Sequence, residues 1–286
     1  MSAAREERIE ATFAGVPVSG VSVAGRETYF SLPSLGCAFD LGRTPSDLVP
    51  VSNIFLSHAH LDHAAGLPYW FSQRRLSRLP GGVVRTDPSA VDRWRRIVAL
   101  HEELEGVRYD ARVEAIAPGE SVAIRRDLSV SAFRVDHRIP TLGFCVSQSF
   151  SHARPEFRGR SEAEIRMAAR AGERVKETVW RPLIAFCGDT ARGVFTLAPP
   201  EVWQAKVLLL ECSFVEERDR GRSKDWGHLH LDEIAEHADL FQNEVLVLTH
   251  ITLRTRPEEV RESIERGLPA SLAKRTVAFL PGATGL

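Results

Sequence analysis

Between Phe55 and Pro68 the chain reads FLSHAHLDHAAGLP, which places His58, His60, Asp62 and His63 within six positions. Imidazole nitrogens and a carboxylate oxygen are the ligands preferred by a borderline cation such as zinc. Four such groups are hard to seat in a core unpaired, because each would be an unsatisfied polar group. Alternation lets His58 and His60 point one way while the adjacent Asp62 and His63 fold back toward a second position, so two ligand sets are expected from one loop. The plainer alternative is a histidine-rich surface loop. The flanks argue against it, since an apolar strand precedes the cluster and AAGLPYW after it suits a helix packed on a core.

The elements that must hold this loop follow from the pattern of apolar residues. Short β-type runs, VPVSGVSVAG, ETYFSLPS and GCAFDLG, open the chain between Gly and Pro punctuation. NIFLS reads as a buried strand ending at His58. Pro88 marks the start of an amphipathic helix with Val91, Trp94, Ile97 and Val98, and His101 as a candidate, on one face, closing near Gly106. Further strands are predicted at VRYDARVEAI, SVAIR, LSVSAFRV and LGFCVSQSF, and helices at SEAEIRMAARAG and HLDEIAEHADLF. In the last third RPLIAFCGD, KVLLLECSF and EVLVLTH are apolar runs, each delivering a polar side chain at its C-terminal edge. Helix RPEEVRESIERGL and strand TVAFL close the chain. No repeat or long low-complexity linker divides it, so one domain of mixed α/β layers over residues 1–286 is expected.

Composition sets bounds on partners. The 286 residues include 37 Lys or Arg and 38 Asp or Glu, a formal net charge of −1, so any polyanion must be met by a local patch rather than by the whole chain. Cys37, Cys145, Cys187 and Cys212 form no C-x-x-C pair and read as reduced core residues. No stretch of about 18 apolar residues and no signal-type apolar segment occurs, so a cytoplasmic protein without membrane attachment is expected.

The His-x-His-x-Asp-His loop resembles that of the metallo-β-lactamase superfamily, in which a later His, an Asp and a final His complete the site. Here His137 stands in RVDHRIPTLGF, Asp189 in FCGDTA and His250 in VLTHITLR. The resemblance implies an α/β fold, a four-layer αβ/βα metallo-β-lactamase sandwich with metals at one edge. It also implies that His58, His60 and His137 hold one ion, Asp62, His63 and His250 the other, and that Asp189 bridges two zinc ions, with manganese or iron(II) as alternatives. Asp40 in AFDLG matches the aspartate that braces the metal loop.

Three further stretches resemble the tRNase Z family, closest to its short plant-type members, and the likeness covers nearly the whole chain. They are DHRIPTLGF after the third ligand, LLLECSF with Glu211 in the acidic position, and GHLHLDEIAEHA, which aligns His228 with a catalytic histidine. The resemblance implies an endonuclease that removes the 3′ trailer from precursor tRNA, leaving a 3′ hydroxyl on the tRNA. In that scheme Asp62 steers the attacking water, and His228, charged and oriented by Glu211, protonates the departing oxygen. His230 competes for the same role, because either ring of HLH could face the metals. The implied partners are precursor tRNA or another phosphodiester substrate and a second copy of the chain in a homodimer. A diesterase for cyclic nucleotides or small diesters, and an RNA-binding protein with little turnover, are the alternatives.

Some stretches depart from the family pattern. His137 and Asp189 lie 52 positions apart, which resembles reduced-arm members, and residues 152–181 carry eight Lys or Arg against five Glu in a short basic arm. The final ligand is followed by HITLRT, which keeps a basic Arg254 but puts Thr255 where the family has an aromatic. ECSF places Cys212 and Ser213 beside Glu211, where the family has Ser and Thr. VEERDRGRSKDW reads as a mobile loop over the site edge. QRRLSR and DRWRRI offer basic stretches for an RNA track, and His101, His152 and His237 have no partner pattern.

Overall fold

The computed structural model describes residues 7–281. Its strands form two seven-stranded sheets, each ordered as in the sequence. The first runs β1 (Ile9–Phe13), β2 (Val16–Val23), β3 (Glu27–Leu32), β4 (Cys37–Phe39), β5 (Asn53–Phe55), β6 (Val83–Thr86) and β7 (Arg112–Ala115). The second runs β8 (Ser121–Arg125), β9 (Leu128–Arg134), β10 (Leu142–Ala153), β11 (Lys176–Phe186), β12 (Val207–Glu211), β13 (Val245–Thr249) and β14 (Thr276–Ala278). In both sheets the first four strands pair antiparallel and the last four parallel. Parallel neighbours need crossovers, and these supply the helices.

Side-chain alternation assigns the layers. Phe30, Phe39 and Phe55 from the first sheet meet Phe144, Phe186, Val207, Leu209, Val245 and Val247 from the second in one buried cluster. Phe39 stacks on Phe186 at 5.3 Å between ring centres, and Phe30 meets the same ring edge-on at 5.3 Å. The intervening residues face outward. Ile54 and Val84 pack under α2 (Leu67–Leu76) and α3 (Pro88–Glu105), with Leu67, Trp70 and Trp94. Leu208, Leu210, Leu246 and Leu248 pack under α5 (Val194–Leu197), α6 (Pro200–Gln204), α8 (Leu231–Glu236), α9 (Pro257–Gly267) and α10 (Ala270–Ala273). The near-continuous apolar runs of β12 and β13 arise because these strands are covered on both faces. This is the expected α/β four-layer sandwich of two sheets between helices.

Local differences from the expected elements have physical causes. Regular pairing in β5 stops at Phe55, because the Ser57 amide is taken by the Asp40 side chain rather than by a neighbouring strand. Strand β7 begins only at Arg112, since Val107 and Tyr109 donate their amides to Glu102 at the end of α3. Strands β1 and β6 carried no sequence expectation: charges interleave the first, and the second is four residues long. Ile97 is exposed rather than facing the core, leaving Val91 and Trp94 as the buried anchors of α3. Strands β10 and β11 run well past the sheet as a hairpin, with a bulge at Leu183 beside Pro182. Beyond its tip lies α4 (Glu162–Arg170), capped by Ser161 and Glu164.

VEERDRGRSKDW is not an irregular loop. It forms a 3-10 turn, Glu217–Asp219, followed by α7 (Arg220–Trp226). Buried Asp219 accepts from Arg222 at 2.6 Å, and that pair gives order to a charge run lacking an apolar stripe. Similarly, α8 stops at Glu236 and passes into a 3-10 turn at Ala238–Leu240. Among the described residues no helix is long and apolar enough to cross a membrane.

Candidate metal centre and active-site cleft

The C-terminal ends of the parallel strands of both sheets meet at one edge, the place where open α/β sheets present ligand-binding groups. After β4 comes Asp40, and after β5 come Ser57 and His58. The end of β11 leads to Asp189, β12 ends at Glu211, and β13 leads to His250. Asp62 and His63 lie on α1 (Leu61–Ala64), a single turn whose N-cap is His60. Asp40 (φ 57°) and His250 (φ 56°) both adopt the left-handed conformation, which costs a non-glycine residue energy and is held by the contacts described next.

Two ligand sets converge. His58 Nε2 lies 3.0 Å from His60 Nδ1, and the same His60 atom is 3.4 Å from His137 Nε2. Asp189 Oδ2 stands 3.6 Å from His58 Nε2. On the other side His250 Nε2 is 3.5 Å from Asp62 Oδ2, and His63 Nε2 is 3.7 Å from the same oxygen. Asp189 Oδ1 completes that set, 3.3 Å from His63 Nε2 and 3.4 Å from His250 Nε2. Asp189 therefore turns one carboxylate oxygen toward each set. All seven residues expected from the sequence are brought together.

A matched pair of relays stands behind them. Asp40 accepts directly from His63 Nδ1 at 2.7 Å, and it accepts from the Ser57 hydroxyl, whose oxygen meets His58 Nδ1 at 2.9 Å. Glu211 is hydrogen-bonded to His228 Nδ1 at 2.7 Å, and it accepts from the Ser213 hydroxyl, whose oxygen meets His250 Nδ1 at 2.9 Å. Each sheet thus contributes one buried carboxylate, one serine and two histidines. His137 Nδ1 is turned to the Gly227 carbonyl at 3.2 Å. Protons held on these Nδ1 atoms leave the Nε2 lone pairs of His58, His63, His137 and His250 facing inward, as metal-ligating histidines require.

Several observations fit this donor set to a metal-binding site. His63 Nε2 and Asp189 Oδ1 are buried and make no hydrogen bond despite their proximity, so each has an unfilled role. Three groups, His58, His60, His137, Asp189, then Asp62, His63, His250, and then Asp189, His228, His250, each gather their ligand atoms within 4.8 Å of one another. The field there draws positive charge. Burial works against a charged His63, yet Asp189 and Asp40 on its two sides raise its proton affinity well above the usual value. Burial alone pushes the carboxyl of Asp189 up, but His250 and His63 hold it well below the ordinary range. Burial lowers the pKa of His58, His60 and His137, favouring the neutral form that ligates metals.

His228 faces the same cleft, its ring centre 5.4 Å from that of His137 and 5.1 Å from that of His250. His230 points elsewhere: it is buried, accepts from the Asp232 amide to cap α8, and turns Nε2 to the Glu216 carbonyl at 3.0 Å. His237 stacks on Phe195 away from the centre. Cys212 is buried with its thiol toward the Phe214 carbonyl, and all four cysteines are free and buried.

The cleft has a volume of about 410 Å³; its lining includes Gly25, Phe214 and Thr252, for which the sequence pattern suggests no role, and Arg222 and Trp226 from VEERDRGRSKDW, the stretch expected over the site edge. Gly25, in the turn between β2 and β3, donates its amide to Asp62 Oδ2 at 3.0 Å. Ser57 and Ser213 were within reach of sequence reasoning, each lying next to a named ligand or acid. Arg254, singled out as the retained basic position, also lines the cleft.

The model of the beta-lactamase superfamily domain matches residues 37–251. Among curated proteins, tRNase Z TRZ1 of Arabidopsis thaliana is 30% identical over 270 residues, covering 94% of this chain and 96% of that protein. The chain belongs to the tRNase Z family of the beta-lactamase superfamily. The chloroplastic tRNase Z TRZ2 of the same plant is 30% identical over 93% of this chain and 75% of its own length. Among solved structures, the short form of human tRNase Z has a TM-score of 0.58 at 21% identity, covering 86% of this chain and 93% of that one, so the tRNase Z fold is shared. The metallo-β-lactamase fold protein YhfI of Bacillus subtilis has a TM-score of 0.62 at 12% identity over 95% of this chain and 96% of that one.

Proposed function

We propose that this chain is a two-metal endonuclease that removes the 3′ trailer of precursor tRNA. Seven inward-facing ligands, five of them histidines, support a pair of zinc ions, with manganese or iron(II) as alternatives. Bound there, the ions supply Lewis-acid charge to a phosphoryl oxygen and lower the pKa of water. The remaining steps fall to side chains. Asp62, fixed by the Gly25 amide, faces the cleft and orients the attacking water. His228 donates a proton from Nε2 to the departing 3′ oxygen while Glu211 retains the Nδ1 proton. Arg222 and Arg254 line the cleft where they offset phosphate charge.

The single observation that carries this reading is the buried Glu211 beside His228 at the junction of the two ligand sets. Burial lowers the proton affinity of His228, but the charge and hydrogen bond of Glu211 more than offset it and raise the pKa to about 9. A protonated imidazole at neutral pH is an acid matched to an alkoxide leaving group. His228 is favoured over His230 for this role because the His230 ring is buried, with Nδ1 capping α8 and Nε2 on the Glu216 carbonyl.

The reading extends to the whole chain. One metallo-β-lactamase-like domain carries a short basic arm around residues 152–181, in which Arg154, Arg158 and Arg166 pair with glutamates, and Arg170, Arg174 and Lys176 are exposed for RNA phosphates. Exposed apolar Leu61, Tyr69 and Leu76 support a homodimer, and four reduced cysteines fit a cytoplasmic setting. The test is incubation of a labelled precursor tRNA with the protein and zinc or manganese. Cutting beside the discriminator base is expected. Turnover of bis(p-nitrophenyl) phosphate without tRNA product would instead make this a diesterase for another substrate.

A further inference from the structure

Trp226 is 59% exposed and lines the cleft; of the other tryptophans Trp180, on the β10–β11 hairpin, is 47% exposed and Trp70, Trp94 and Trp203 are buried. An indole left in water at the mouth of a polar cleft contributes little to the core, so its packing does not account for it. Its position is tightly held. It ends α7, and the following Gly227, in the left-handed conformation with φ 73°, accepts from His137 Nδ1 through its carbonyl. The amides of both Gly227 and His228 return to the Ser223 carbonyl. The ring is thus tied through Gly227 both to the proposed proton donor and to a metal ligand. The guanidinium of Arg138, next to that ligand, lies over the indole at 5.7 Å and steadies its orientation.

An exposed aromatic among cations matches one ligand class well. Arg138 covers the ring, and Arg222 and Arg254 line the same cleft. An apolar protein segment would gain nothing from these charges. A nucleotide presents a flat base to the indole and phosphates to the arginines. We propose that Trp226 is the stacking platform for the base of the nucleotide on the 5′ side of the cut, and this rests on the tRNA-processing function proposed above. Chain polarity selects that nucleotide: His228 gives its proton to the departing 3′ oxygen, so the ribose bearing that oxygen lies against His228, two residues from the indole.

The test uses precursor tRNA that is intact, abasic at the nucleotide 5′ of the cut, or abasic at the first trailer nucleotide. For the unaltered protein, removing the 5′-side base is expected to lower kcat/KM about 5- to 150-fold, the range carried by one stacked base. Trp226→Ala should lose a similar factor on intact precursor and little more on that abasic substrate, while Trp226→Phe retains most activity. Losses that multiply independently, or coupling to the trailer base instead, would overturn the assignment. A cleavage-independent arm measures indole fluorescence as single-stranded pentaadenylate is added. Quenching in the unaltered protein that disappears in Trp226→Phe is expected, and equal quenching in both refutes the platform. Quenching without precursor cleavage would keep the platform and defeat the tRNA-processing reading, whereas cleavage without coupling would do the reverse.

Discussion

Asp40→Asn is a nearly isosteric change that isolates the brace behind the metal loop. Asp40 is fully buried and accepts three hydrogen bonds: Oδ1 takes the Ser57 amide at 2.6 Å, and Oδ2 takes the Ser57 hydroxyl at 2.9 Å and His63 Nδ1 at 2.7 Å. Every partner is a donor, so an amide NH2 in place of either oxygen meets at least one donor head-on. With the amide oxygen kept on the Ser57 N–H, the NH2 faces His63, which escapes only by moving its proton to Nε2. That proton then occupies the lone pair aimed at Asp189 and Asp62. Losing an outer partner of this kind typically lowers metal affinity by about 10- to 100-fold, equivalent to about 1.4–2.7 kcal/mol. Fold stability without metal should change less, because burial already raises the pKa of Asp40 and the neutral amide avoids that desolvation. Competition against a chromophoric zinc chelator, with circular dichroism as a check on folding, reads the effect. A folded variant whose affinities for both ions stay within twofold of the unaltered protein refutes the brace.

Three other outcomes follow from the same geometry. His228→Ala should lower kcat on precursor tRNA by about 10²- to 10⁴-fold with zinc content unchanged, by single-turnover kinetics and elemental analysis. In the unaltered protein the acid form of His228 is present below about 9 and lost as pH rises through that value. Glu211→Gln removes the charge that raises it, so the alkaline fall of kcat should move to lower pH, and an unmoved limb contradicts the pairing. Trp70, buried under α2 with its indole N–H on the Leu48 carbonyl at 3.1 Å, anchors the helix after the metal loop. Trp70→Ala should cost about 3–5 kcal/mol in a denaturant titration.

The site was more legible in the sequence than the surface around it. Each ligand lies at or just beyond the end of an apolar run, and a strand buried on both faces announces itself by composition, as β12 and β13 do. His228 and His230 could not be separated from the pattern HLH. The turn into α8 directs His230 Nδ1 to the helix cap and leaves His228 on the cleft. The helix α7 was hidden for a related reason: its order comes from buried Asp219 and from contacts to the site rather than from an apolar stripe, so its charges read as solvated. The serine relays and the Gly25 amide depend on which strand ends become neighbours. Ser22 holding the His250 amide at 2.8 Å, across most of the chain's length, illustrates how little spacing reveals of such contacts.

Anomalous diffraction at the zinc edge, from crystals of protein purified with zinc, tests the two-metal centre most directly. Two peaks roughly 3.5–4 Å apart are expected, one beside His58, His60 and His137 and the other beside Asp62, His63 and His250, with Asp189 between them. A single peak, or none at saturating zinc, contradicts the account.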